Sequence, residues 1–293
     1  MIIWLASYPK SGNTWIRTII NQILNNDLIN NNEVFDDLLK IRRYPTQKDI
    51  TGLPQIISKT NDTKNKKKEL IECTVKNWIP SQKKINLNNK VNIFKTHNML
   101  CEIDLNGNKY AFTDENNTLG VIHIVRDPRN LVTSLKSHFS HTTDEETVEM
   151  LNYKFSWTGF TENEVPQLLS SWQNHYNSWK KFPKNNLLVR YEDILTNTKN
   201  EIYKLSSYLS NFFKLQLSDK KMERIISNTS FENFKEQEIK GNFKENSFNK
   251  KTGKKNIFFN LGPKNDWKKI LNRKHANLIE KNFYSEMKEL NYL

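Results

Sequence analysis

The sequence predicts a three-layer α/β fold, with a central parallel sheet and helices on both faces. Three observations predict it. Short apolar runs suited to buried strands recur at Ile2 to Ala6, Val91 to Phe94, Val121 to Val125 and Asn186 to Arg190. Between them lie segments with helical spacing of apolar residues, which supply crossovers between parallel strands. Each run is followed closely by polar or aromatic residues, Lys10, Lys95 with His97, Arg126 and Tyr191. Ligands of open parallel sheets bind outside the carboxyl ends of the strands, so these residues are the first candidates for a site.

The first run feeds the turn-prone segment Ser7-Tyr8-Pro9-Lys10-Ser11-Gly12-Asn13 and then a helix. Trp15, Ile16, Ile19, Ile20, Ile23 and Leu24 form one apolar face of that helix. Such a loop leaves N–H groups without intrahelical partners, which favours an anion. Gly12 permits close backbone approach, Ser11 and Thr14 add hydroxyls, and Lys10 adds a full charge. An ordinary βα turn fits this loop as well. It is not a Walker loop, because Lys10 precedes Gly12.

From Asn25 to Lys90 the signals are weak: a short helix at Val34 to Ile41, Pro-containing turns, and a basic run to Lys68 that reads as mobile. The second strand ends in Lys95-Thr96-His97, and in extended backbone Lys95 and His97 share a face. Asp104 to Asn117 reads as a surface turn or hairpin. After the third strand, Asp127 is a good N-cap and Pro128 a good first helical residue, so a helix is expected through Leu131, Val132 and Leu135 to Phe139. Arg126 thus stands at a strand end beside a helix start, where a guanidinium can hold a phosphate bidentately. An ion pair of Arg126 with Asp127 or another carboxylate is the structural alternative.

Apolar residues from Leu168 to Trp179 predict a helix over Gln167 to Phe182, with His175 a structural histidine. Helices are also expected at Asn200 to Phe213 and Asp219 to Ser227. The fourth strand ends in Tyr191-Glu192-Asp193.

The chain has 293 residues, of which 36% are hydrophobic and 11% aromatic. That suffices for one sizeable core, and a single domain over residues 1–293 is expected. A net charge of +13 attracts polyanions. Its lysine clusters, Lys64 with Lys66 to Lys68 and the group Lys250, Lys251, Lys254 and Lys255, fall in loop-like segments, and a small anionic nucleotide would use the same field. No nucleic-acid partner is expected. No apolar run approaches a membrane span and the mean hydropathy is -0.76, so no membrane association is expected either. Cys73 and Cys101 form neither metal spacing nor a disulfide framework. Met1 to Ala6 is too short for a signal-peptide core, so the expected location is cytoplasmic.

Ser7 to Trp15 resembles the 5′-phosphosulfate loop of the sulfotransferases that use 3′-phosphoadenosine 5′-phosphosulfate, with Asn13 where many members have Thr. The resemblance continues through Lys95-Thr96-His97, Arg126 with Ser134 eight residues on, Tyr191, Thr229-Ser230-Phe231, and a frame ending in Gly262, Asp266 and Trp267. It implies a fold similar to the P-loop nucleotide kinases. It also implies transfer of a sulfuryl group to a hydroxyl or amine of a small-molecule or glycan acceptor, without a metal. His97 would be the general base, with Lys10 and Lys95 stabilising charge. Lys10, Ser11, Gly12, Asn13, Thr14 and Trp15 would cradle the donor, Arg126 and Ser134 its 3′-phosphate. Tyr191, Thr229, Phe231 and Gly262 would complete the nucleotide site. Segments around 40–90 and 140–166 correspond to parts that cover the acceptor.

The resemblance weakens toward the C-terminus, where the Lys…Thr-Val…Glu dimer signature of many members is absent after Trp267. Asn260 and Leu261 stand where the family has a basic pair before the glycine now at Gly262. A nucleotide-binding descendant with weak or no turnover is therefore a second reading. A magnesium-dependent phosphotransferase using Asp193 is a third. Neither the acceptor nor the oligomeric state is legible.

Overall fold

A computed structural model describes the chain except residues 26–28, 31–32, 55–62, 140–142, 161–163, 246–252 and 254–255. The lysines at 250, 251, 254 and 255 lie outside the described residues, as do parts of the expected mobile and covering segments. The chain divides into two compact units. Unit 1 comprises Met1–Tyr8, Arg42–His123 and Tyr153–Leu188; unit 2 comprises Pro9–Ile41, Ile124–Asn152 and Val189–Leu293.

In chain order the main elements begin β1 (Ile2–Ser7), α1 (Asn13–Leu24), α2 (Thr63–Asn86), β2 (Asn92–Thr96), β3 (Glu102–Leu105), β4 (Asn108–Ala111), β5 (Thr118–Val125), α3 (Pro128–Phe139) and α4 (Asp144–Asn152). They continue with β6 (Trp157–Thr158), β7 (Gln167–Leu168), α5 (Trp172–Lys180), β8 (Asn186–Arg190), α6 (Tyr191–Thr196), α7 (Thr198–Ser210), α8 (Asp219–Asn228) and α9 (Phe231–Ile239). The C-terminal part holds α10 (Trp267–Ile270), α11 (Arg273–Asn282) and α12 (Tyr284–Glu289). The four expected strands make one parallel sheet in the order β2-β1-β5-β8, flanked by helices. β1 and β2 pair from Ile2 with Asn92 to Ala6 with Thr96. Every residue of β1 is buried, which is why it reads as an unbroken apolar run.

The core of unit 1 packs Trp4, Tyr44, Trp78, Phe94, Phe112 and Trp179 together. Polar groups thread through it in a satisfied chain. Trp4 Nε1 donates to Thr118 Oγ1 at 2.9 Å, Thr118 and Thr113 share a bond of 2.8 Å, and Thr113 donates to Gln82 at 2.6 Å. Gln82 in turn donates to the Phe112 carbonyl at 2.6 Å. This network seats α2, a 24-residue helix in a region expected to have only weak order. Its buried face includes Thr74, Ser81 and Gln82 beside Leu70, Val75 and Trp78, so the apolar stripe is broken in the sequence. The hairpin β3–β4 turns at Asn106 and Gly107, both with positive φ, in accord with the expected surface turn.

One further expectation needs correction. The helix read from Gln167 starts at Trp172; Gln167 and Leu168 are extended and pair with Thr158 and Trp157. Ser170 has φ 58°, which interrupts the backbone, and Ser171 caps α5 by accepting from Asn174 N. The short helix expected at Val34 to Ile41 is present as a 3-10 helix over Asp36–Lys40. In unit 2, Phe35, Phe234, Phe243 and Phe259 form an aromatic cluster with Trp15, Phe231 and Phe258 packed against it.

Candidate active site

The loop of unit 2 that precedes α1 turns on two residues with positive φ. Lys10 has φ 66° and Gly12 φ 99°, and Gly12 occupies the N-cap of α1 with no side-chain cap. A Cβ at Gly12 would lie 2.7 Å from Tyr191 Cδ2, so only glycine fits beneath that ring. Ser11 is fully buried and its Oγ has no hydrogen-bond partner among the described residues. The same holds for Trp15 Nε1 and Arg126 Nε. Buried polar groups are normally paired, so this concentration of unmatched donors fits a polyvalent anionic ligand.

Arg126, at the end of β5, reaches this loop. Its Nη1 donates to the Lys10 carbonyl at 3.0 Å, and its guanidinium lies 4.0 Å from the centroid of the Tyr191 ring. Tyr191 meets Trp15 edge-on at 5.7 Å. Burial raises the Tyr191 phenol pKa, with the Arg126 charge opposing. Asp127 does not take Arg126 as its partner. It caps α3 by accepting from Arg129 N at 2.9 Å and binds the Arg129 guanidinium through both oxygens. Arg129 is further held by Glu280 at 2.7 Å and the Tyr292 carbonyl at 2.5 Å. Among the described residues no carboxylate lies within ion-pair distance of Arg126.

The remaining nucleotide candidates fall into smaller groups within unit 2. Lys10 Nζ stands 3.5 Å from the centroid of Phe258. Phe231 opens α9, and its ring fills the space a Cβ on Gly262 would need, while Gly262 has φ 52°. Ser134 lies on α3, where Asn265 Nδ2 donates to its hydroxyl at 3.4 Å. Thr229 is buried and its hydroxyl donates to the Ile225 carbonyl at 2.8 Å. Asp193 pairs with Arg190 at 3.6 Å.

Lys95 and His97 belong to unit 1. The His97 Nδ1 lies 2.7 Å from the Ser7 carbonyl. A carbonyl only accepts, so Nδ1 carries the proton and the neutral ring keeps its lone pair on Nε2. Burial, and then the Lys95 charge, push the His97 pKa well below its usual value, with the Ser7 bond opposing. The His97 N–H donates to Gln167 Oε1 at 2.9 Å, and Leu168 N donates to Asn98 Oδ1 at 2.8 Å, clamping the segment that carries the imidazole. Gln167 and Asn265 were invisible to sequence reasoning, since their partners lie 70 and 131 residues away.

A parallel α/β sheet whose first strand runs through a glycine-containing cradle into a helix defines a nucleotide-binding class of protein. Residues 2–291 match the family model described as sulfotransferase domain. The chain belongs to that family. It is 25% identical over 270 residues to sulfotransferase 1B1 of Canis lupus familiaris, covering 91% of this chain and 76% of that protein. It is 25% identical over 236 residues to sulfotransferase 1E1 of Bos taurus, covering 79% of this chain and 65% of that one. Its fold is similar to mouse sulfotransferase SULT7A1 complexed with PAP, with a TM-score of 0.58, 18% identity, and coverage of 98% of this chain and 84% of that one.

Proposed function

We propose that the protein transfers a sulfuryl group from 3′-phosphoadenosine 5′-phosphosulfate to a hydroxyl or amine of a small-molecule or glycan acceptor, in the cytoplasm. One observation carries the reading: Arg126, Tyr191, Gly12 and the Lys10 carbonyl meet in one cradle lined with unmatched buried donors. Ser11, Asn13, Thr14 and Trp15 complete that cradle, Arg126 and Ser134 bind the 3′-phosphate, and Thr229, Phe231 and Gly262 support the adenosine end. The donor supplies the sulfuryl group.

His97 Nε2 takes the proton of the attacking hydroxyl, a role worth about 10²–10⁴-fold in rate. The Ser7 carbonyl fixes the required tautomer. Lys10 meets negative charge on the leaving phosphate oxygen, and Lys95 stabilises the transferring group while keeping His97 neutral. Asn260 and Leu261, in place of a basic pair, favour a second reading in which the cradle binds nucleotide without turnover. Assaying labelled donor against phenols, steroid alcohols and primary amines separates the two. Turnover by the parent that drops at least about 100-fold in His97→Ala, with bisphosphate affinity kept, supports the enzyme; full activity in that variant removes His97 from the mechanism.

A further inference from the structure

α3 presents Asn130 and Ser134 one turn apart. A serine inside a helix ordinarily gives its hydroxyl proton back to the carbonyl four residues earlier, which here is that of Asn130. Asn265 prevents this. Its Nδ2 donates to the Asn130 carbonyl at 2.8 Å and to Ser134 Oγ at 3.4 Å, while Trp267 N donates to Asn130 Oδ1 at 2.9 Å. Asn265 is 7% exposed and follows the turn Gly262–Lys264, where its N–H donates to the Gly262 carbonyl at 3.1 Å. The Ser134 oxygen therefore accepts, and among the described residues its proton goes to no carbonyl. A hydroxyl held in this way is a donor waiting for an acceptor outside the helix.

We infer that Asn265 determines nucleotide specificity by holding the Ser134 hydroxyl outward as a donor to the 3′-phosphate, an inference that rests on the donor reading above. The chain then recognises that phosphate through Arg126 and an amide-oriented serine, without the basic pair absent at Asn260 and Leu261. Asn265 acts through Ser134 and is a positioning residue.

The test compares adenosine 3′,5′-bisphosphate with adenosine 5′-monophosphate by calorimetric titration and competition, in the parent protein, Asn265→Ala, Ser134→Ala and the double variant. The parent is expected to prefer the bisphosphate. Asn265→Ala should reduce that preference about fivefold to tenfold while monophosphate affinity stays within about twofold. Ser134→Ala should do the same, and the double variant should lose no more than either single one. A preference unchanged in Asn265→Ala, equal weakening of both nucleotides, or additive losses would overturn the inference and leave the donor site standing. A parent that binds neither nucleotide would overturn the donor reading itself. Thermal midpoints of all four proteins identify a variant that has failed to fold; Asn265→Leu, which keeps the side-chain volume but cannot donate a hydrogen bond, then replaces Asn265→Ala under the same criteria.

Discussion

His97 is held by its neighbours in the form a base requires. With Nδ1 donating to the Ser7 carbonyl and the Lys95 charge nearby, protonation of the ring is opposed both by burial and by Coulomb repulsion. A free imidazole titrates near about 6.5 and would lose half its base form there. A depressed pKa keeps the ring neutral at and below that pH, so kcat/KM should stay level from pH 8 through 6.5 and fall only under more acidic conditions. An inflection at or above 6.5 in kcat/KM would contradict this environment for His97. The sequence showed that Lys95 and His97 share a strand end. It did not show that Ser7 holds the imidazole and Gln167 the backbone N–H of the same residue, because those contacts exist only after β1 and β7 are placed. At Arg126 the ambiguity was of another kind. The sequence left an ion pair with a carboxylate open, and the cap geometry gives the Asp127 carboxylate to Arg129, two residues into the helix.

Elements were legible where a single kind of burial dominates. β1, β2, β5 and β8 stand out as apolar runs and form the sheet as expected. α2 did not stand out, because its buried side carries polar residues: Ser81 and Gln82 are satisfied by Tyr44, Phe112 and Thr113 from distant parts of the chain, and Thr74 donates to the Leu70 carbonyl one turn back. The join of loop and α1 is the element most exposed to a single change. Gly12→Ala places a Cβ against the Tyr191 ring at a positive φ, which should cost about 2 kcal/mol or more in urea unfolding. The displaced Tyr191 should also weaken nucleotide binding. An unfolding midpoint equal to that of the parent would show that the loop has room the structure does not display.

At the scale of the molecule, acid sensitivity follows from buried imidazoles. His123 and His175 are both buried; desolvation lowers the His175 pKa to about 3 and drives that of His123 well below its usual value. The unfolded chain binds protons at these groups below about pH 6.5 and the folded chain does not, so stability falls as pH drops through that value, by up to about 1.4 kcal/mol per pH unit for each group. Above pH 7 this contribution is complete and constant. Urea unfolding at pH 7.5 and 5.5 should show the loss, and His123→Phe, which removes one such group, should lose less. Equal sensitivity in that variant would remove His123 from the account.

The central claim is that strand-end residues far apart in the sequence form one binding site for a bisphosphorylated adenosine. Calorimetric titration with adenosine 3′,5′-bisphosphate, and separately with ATP and magnesium, tests it most directly, with Arg126→Ala beside the parent. A clear preference for the bisphosphate is expected, reduced at least about tenfold in Arg126→Ala. Tighter binding of ATP with magnesium, or a bisphosphate affinity indifferent to Arg126, would contradict it.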